Sequence, residues 1–383
     1  MEKRPLLSIA VPTKNRYEYL KYLIELVASF ASDEIELVIQ DNSDNNSEIL
    51  EYINNKQAPF VKYFYRTGII SMTGNCDYAI QNCTGEYVCL IGDDDGVTRY
   101  VIDAVKWMKQ NDFTILKSSF SIYKWPSFIT PSYYDVKATA LFNHYSLKYR
   151  IVDCKESLKK LLSSGIDSLD YMPKLYNGIV KRDVLDRIFK QTGSYSPGPS
   201  PDMANAVSLA MEEDYFVYID APIIIGGHSS HLGGDANKHK NKMARLEDQP
   251  IIAKKDVDNW DPRIPKIWAA MAVWPESAIT ALKAYNSEYI KYVDFEKIYK
   301  IFIYEHKTAA DLAIQLSSEP NSLKVKSWIF SKYRFVRGCV NVLIYKLTGI
   351  YSGLHVVRNI KDIIEAERIF SSDINSFNPK FQK

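Results

Sequence analysis

The sequence predicts an α/β fold, a mostly parallel sheet flanked by helices, with a helical C-terminal region after it. Two observations lead there. Short apolar runs of strand length alternate with segments at helical spacing through the first half of the chain, and from about residue 256 the strand pattern stops while helical spacing continues. A third observation concerns position: polar clusters at residues 12–16, 41–44 and 93–95 each follow directly on an apolar run. In an open α/β sheet ligands bind outside the carboxyl ends of the strands, so the three clusters are expected to face one crevice.

Residues 6–11 (LLSIAV) form an apolar run stopped by Pro12, which suits a buried parallel strand. Over residues 16–30 the period changes, with Leu20, Leu23, Ile24 and Val27 on one helical face, and residues 35–40 (IELVIQ) read as the second strand. The alternation continues with a polar helix at 47–55, a strand at 61–65, a helix at 74–82 and a strand at 86–91 that runs into Asp93, Asp94 and Asp95. A helix at 101–109 and strand at 114–124 follow; between 126 and 168 the pattern is too weak to place elements. Beyond it come a strand at 177–180, a helix at 182–189, the loop SYSPGPSPD (194–202), a helix through Ala210, a strand pair around 215–225 and a polar glycine-rich loop at 226–235. At 383 residues the chain exceeds one comfortable core, which predicts a main domain over 1–245 and a helical region over 246–383.

The bulk numbers exclude several classes. With 48 basic against 46 acidic residues the formal charge is +2, so no global field points to nucleic acid. Five cysteines lack the paired spacings of a zinc site or a disulfide framework and read as reduced thiols of a cytoplasmic protein. No signal-peptide pattern opens the chain, and no stretch reaches the roughly 18 apolar residues of a membrane span. A dehydrogenase would carry G-x-G-x-x-G after the first strand, where PTKNR stands, and no G-x-x-x-x-G-K-[ST] of a P-loop occurs.

The acidic run can hold a hard divalent cation that bridges a diphosphate, or be a solvated turn; its place after a buried strand favours the site. Asp41 can accept a ring N–H from a base such as uracil, or belong to a turn that caps the next helix. Asp202 begins a helix after a Pro- and Gly-rich loop, either as a general base or as an N-cap, with Glu212, Glu213 and Asp214 in reserve. His228 and His231, with Asp235, lie on the glycine-rich loop, where an imidazole suits Mn²⁺ better than Mg²⁺ and the glycines suggest a lid.

The segments VPTKNR (11–16), DNSD (41–44), GNCDYAI (74–80), GEY (85–87) and GDDD (92–95) resemble the family 2 glycosyltransferases in order and spacing over the first hundred residues. The resemblance implies the GT-A fold, a nucleotide-sugar donor, Mg²⁺ or Mn²⁺, and inversion at the anomeric carbon. It implies that Pro12, Thr13 and Arg16 line the nucleotide pocket, that Asp41 holds the base, and that the acidic run holds ribose and metal. Gly92 departs from the common pattern, which has Asp there; Asp93 or Asp94 is assigned to the ribose and Asp95 to the metal, with His228 or His231 beside it. Similar enzymes keep their catalytic carboxylate about where Asp202 stands.

The tail is set apart by charge. Between Pro320 and Lys361 there are eight Lys or Arg and no Asp or Glu, and Val325, Ile329, Tyr333, Val336, Val340, Leu343 and Leu347 recur every three or four residues. The segment 321–361 is either a helix packed on the main domain or a basic amphipathic surface for anionic lipid. The resemblance to family 2 glycosyltransferases implies inverting transfer from a nucleotide diphosphate sugar, UDP-sugar favoured, to a glycan or lipid-linked glycan in bacterial surface polysaccharide synthesis, in the cytoplasm or at the inner face of the cell membrane. A non-catalytic glycosyltransferase-like scaffold is the alternative.

Overall fold

The computed structural model describes residues 4–128, 137–230, 245–350 and 353–382. The chain opens with β1 (Leu7–Thr13), α1 (Tyr17–Ala28), β2 (Ile35–Asp41), α2 (Ser47–Lys56), β3 (Val61–Tyr65), α3 (Met72–Gln81) and β4 (Tyr87–Leu90), the expected alternation with ends within two residues or so. After it come β5 (Gly96–Val97), α4 (Val101–Gln110), β6 (Ile115–Ser118), β7 (Ile122–Lys124), β8 (Thr139–Phe142), β9 (Lys148–Asp153), α5 (Cys154–Ser164), β10 (Ile179–Lys181), α6 (Arg182–Thr192), α7 (Pro201–Glu212), β11 (Tyr215–Ile219) and β12 (Ile224–His228). The remainder is α8 (Lys254–Asp258), α9 (Ala270–Ala284), α10 (Phe295–Glu305), α11 (Ala310–Leu316), α12 (Pro320–Thr348), β13 (His355–Arg358), α13 (Ile363–Ser372) and β14 (Lys380–Phe381).

The main sheet has the order β14-β9-β11-β6-β10-β4-β1-β2-β3, parallel through β4, β1, β2 and β3 and reversed at β10. β1 and β2 are buried on both faces, as apolar runs flanked by helices should be. One face is covered by α1 and α4, where Leu23, Ile24, Ala104 and Met108 pack on Ile9 and Leu37. The other carries a larger core in which Val88 and Ile115 of the sheet meet Leu158, Val207, Ile279 and Phe302. Residues on both sides of position 245 share that core, so the helical region is fused to the sheet rather than tethered to it. The five cysteines are unpaired, and Cys76, Cys83, Cys89 and Cys154 are buried.

Four expectations change. The strand anticipated over 114–124 breaks in two, because Ser119 N donates to Ile219 O in the main sheet while Ser121 O accepts from Gly226 N in a second sheet, β13-β8-β7-β12-β5. The unplaced stretch contains β8, β9 and α5; β9 escaped because most of its side chains are exposed, and α5 is N-capped by Asp153, whose carboxylate accepts from Glu156 N at 2.8 Å. Residues 226–228 continue β12 instead of starting a loop, and 231–244, with His231 and Asp235, lie outside the described residues. Strand structure also returns after 256, as β13 on β8 and β14 on β9.

Candidate active site

The carboxyl ends of β1, β2 and β4 open on a cavity of about 630 Å³. Pro12 and Thr13 at the end of β1, Arg16 beyond it, Asn42 after β2, Asp93 and Asp94 after β4, and Asp202 on α7 all border it, so clusters far apart in sequence do converge.

The acidic run is not three equivalent carboxylates. Asp93 accepts from Thr13 Oγ1 at 2.6 Å and faces Arg16 Nε at 2.8 Å. Asp94 Oδ2 faces Arg16 Nη2 at 2.8 Å and accepts from Ser229 Oγ at 2.8 Å. Asp95 points into the protein: Oδ1 accepts from Gly227 N at 2.6 Å, and Oδ2 from Gly92 N at 2.7 Å and Tyr176 Oη at 2.9 Å. It is absent from the cavity wall, and both oxygens are committed to the protein; of the three, Asp94 is better placed than Asp95 for a metal. Burial raises the Asp95 carboxyl, with Asp94 adding to it, and burial likewise raises Asp93 against the lowering by Arg16. Burial opposes the charge on Arg16, but Asp93 and Asp94 outweigh it and hold the guanidinium above its ordinary range.

Two glycines make the arrangement possible. A Cβ on Gly227 would stand 1.7 Å from Asp94 O, so β12 can approach this turn only with glycine there. A Cβ on Gly92 would lie 3.2 Å from both Asp94 Oδ1 and Tyr176 Oη, so the departure at 92 accompanies a tightly filled turn.

Asp41 is fully buried, with Oδ2 accepting from Tyr17 Oη at 2.7 Å and Tyr63 Oη at 2.6 Å and Oδ1 from Ser43 N at 2.7 Å. It braces the start of the α2 loop and does not border the cavity. Its neighbour Asn42 does: Nδ2 donates to Arg66 O at 2.8 Å and Gly68 O at 2.9 Å, which turns the amide oxygen into the side chain's remaining acceptor. The alternation of a strand end puts 41 and 42 on opposite sides, and Tyr17 and Tyr63 were the signal that 41 had partners of its own.

Asp202 is not the N-cap; Ser200 takes that position, with Pro201 first in α7. Asp202 Oδ1 accepts from Met203 N at 2.9 Å and from the Ser200 hydroxyl. Its Oδ2 accepts no hydrogen bond among the described residues. The approach to α7 is held by residues outside the notion of a strand-end site: Ser200 N donates to Ser277 Oγ of α9 at 2.8 Å, and Asp77 of α3 accepts from Ser194 Oγ at 2.6 Å and Tyr195 N at 3.1 Å. Burial pushes the Asp77 carboxyl up to about 6.

The wall beside Asp202 is apolar, made by Met72, Trp268, Val273 and Trp274. His228 ends β12 near Asp94 but does not border the cavity; burial, then Lys124, lowers its pKa. Among the described residues no cluster of three or more His, Cys, Asp or Glu forms a ready cation cage. Asp94 keeps one oxygen, Oδ1, without a hydrogen-bond donor among those residues. A divalent cation therefore fits only if donor phosphates supply much of its shell, a mode natural to Mg²⁺.

Residues 8–159 match the family model described as Glycosyl transferase family 2. The resemblance read from the motifs thus holds over that segment, and the α/β architecture is that of the GT-A fold. No curated protein matches the sequence. Solved structures similar to this chain include S. aureus TarS 1-349 in complex with UDP-GlcNAc, 13% identical with a TM-score of 0.47 over 87% of this chain and 92% of that one. The same fragment with UDP gives 13%, 0.43, 87% and 91%, and another S. aureus TarS structure gives 16%, 0.41, 73% and 55%.

Proposed function

We propose that this chain, whose residues 8–159 belong to glycosyl transferase family 2, moves a sugar from a nucleotide diphosphate donor to an acceptor hydroxyl with inversion. The observation that carries the reading is one cavity bordered by Asp93, Asp94 and Arg16 on its strand side and by Asp202 with two tryptophans on its helix side. The strand side suits the donor. The Asn42 oxygen accepts the ring N–H of a base such as uracil, which favours a UDP-sugar, and Thr13, Arg16 and Asp93 lie next to the ribose and phosphates.

Mn²⁺ or Mg²⁺ would be held by Asp94, with His228 near, and when bound it neutralises charge on the departing diphosphate. Asp202 takes the acceptor proton through Oδ2 as the hydroxyl attacks, and a single displacement of this kind inverts the anomeric carbon. Trp268 and Trp274 offer flat apolar faces to the acceptor sugar. The setting that accords with the family resemblance is synthesis of a bacterial surface polysaccharide on a glycan or lipid-linked glycan.

The test couples binding to turnover. Melting curves against UDP-, GDP-, dTDP- and CMP-sugars, with and without Mn²⁺, are expected to show stabilisation by one nucleotide class, because a ligand of the folded state adds RT ln(1 + [L]/Kd). Asp202→Asn should keep that shift while transfer falls by roughly 10²–10⁴-fold. Full transfer by the variant would move the base elsewhere, and no shift with any donor would favour a non-catalytic scaffold.

A further inference from the structure

α12 is the longest helix among the described residues, 29 residues or about 43 Å. Its ends are written in the sequence: Pro320 at the first position and Gly349 after the last, in the left-handed conformation at φ 72°. Helical spacing predicted a helix that packs on the main domain or an exposed basic amphipathic surface, and the structure divides the two readings along one element. Leu323 and Ser327 are buried beside α10 and α11, and Phe330 sits edge-on to Tyr304 of α10 at 5.4 Å. That row is the packed face.

The opposite face is apolar and uncovered. Val325, Ile329, Val336, Val340, Leu343 and Leu347 are 48–76% exposed. At 100° per residue these six fall within about 60° of one another, roughly opposite Leu323 and Ser327. Lys326 and Arg337 border the stripe on one side, Lys332 and Lys346 on the other. A monomer in water rarely exposes a continuous apolar strip along a whole helix.

The charge says what covers it. The segment 320–361 holds eight cations and no Asp or Glu, while the rest of the chain has 40 basic to 46 acidic residues; Lys326 lies 3.6 Å from Glu319 and Arg334 3.9 Å from Glu305, both pairs exposed at the surface. A second copy of the same stripe would bring like charges together along both borders, whereas an anionic surface meets the apolar strip and its cationic borders at once. Among the described residues no helix is long and apolar enough to cross a membrane, so the arrangement is that of a helix lying in the interface. We propose that α12 docks the protein on an anionic phospholipid surface, with this stripe at the boundary of headgroups and acyl chains and the cations among the headgroups.

The proposal stands apart from the transfer reaction, so its test needs no substrate. The full chain is sedimented with vesicles of phosphatidylcholine alone or mixed with phosphatidylglycerol. Wild type should partition onto the mixed vesicles at least about tenfold better. Val336→Asp with Leu343→Asp should lose that partition, and Lys326→Gln with Arg337→Gln should weaken it severalfold. All four positions are exposed, so an unchanged melting temperature verifies that the variants fold. Equal partition on neutral and anionic vesicles, or none, would overturn the proposal. So would a dimer in light scattering that the Val336→Asp/Leu343→Asp variant converts to monomer, since the stripe would then be an interface between copies.

Discussion

The crevice has two walls of opposite construction. The strand wall is polar and densely bonded: Asp93, Asp94, Arg16, Thr13 and Ser229 form one network, and Asp95 and Asp41 sit behind it with their oxygens taken by the protein. The helix wall is apolar, Met72, Trp268, Val273 and Trp274 around the single carboxylate of Asp202. Fixed dipoles and charges stabilise a polyanion whose geometry is always the same, and flat apolar faces tolerate a ring that arrives in more than one orientation. The proposed function puts the donor on one wall and the acceptor on the other, and that division can be broken from either side.

The largest effect belongs to the strand wall. Asp94→Asn removes one of the charges that border the cavity, and transfer is expected to fall by roughly 10²–10³-fold, a larger loss than the weakened pair with Arg16 explains. Asp95→Asn should act in the other currency: its oxygens hold Gly92, Gly227 and Tyr176, so the main loss is stability, about 1–3 kcal/mol in denaturant titrations. If Asp95→Asn abolished metal-dependent donor binding without destabilising the protein while Asp94→Asn did not, the order of the two residues here would be reversed.

On the helix wall the effect is smaller and selective. Trp274→Ala should raise the acceptor KM about tenfold, an apolar face being worth roughly 1 kcal/mol or somewhat more, and leave the donor Kd unchanged. A matching rise in donor Kd would show that the two walls serve one ligand.

The strand wall was legible because its residues are local to strand ends, and an apolar run followed by a polar cluster identifies such an end without any tertiary knowledge. What the sequence hid was direction. Asp41 and Asn42 are neighbours with opposite orientations, and the choice between Asp94 and Asp95 depends on Gly227, more than a hundred residues away, whose N–H takes up Asp95. The helix wall was largely illegible. Trp268 and Trp274 carry no local mark of a site, and their position is set by α9 packing on α7, with Ser277 bonded to Ser200. The C-terminal region could be read as helical but not as part of the core, because burial against a sheet two hundred residues earlier leaves no periodicity beyond that of any amphipathic helix.

The smallest effect on transfer is expected at a residue that does not border the cavity, and it tests whether α9 is part of the same folded unit as the site. Glu276 of α9 is 1% exposed and accepts from Asp261 N at 3.0 Å and Thr280 Oγ1 at 3.1 Å. Burial pushes its carboxyl up to about 7, against the lowering by those hydrogen bonds and by Lys283 and with a small push from Asp261, which is itself held low by Arg263 and Lys283 despite burial. The folded state therefore holds this proton more tightly than the unfolded chain does. The corresponding stability is fully present below about pH 4.5 and is lost as the pH rises to about 7, by up to roughly 3 kcal/mol. Asp77, raised to about 6, contributes a slope of the same sign that ends lower, and Asp93 and Asp95, both raised to about 7, share the interval between pH 6 and 7, so Glu276 is read there as the difference between wild type and its variant. Glu276→Gln should flatten the fall in melting temperature across that interval, leaving the variant no more stable than wild type at pH 5 and more stable at pH 8. A variant curve that falls as steeply as wild type between pH 6 and 7 would mean that Glu276 ionises freely, and that α9 opens to water without unfolding the sheet.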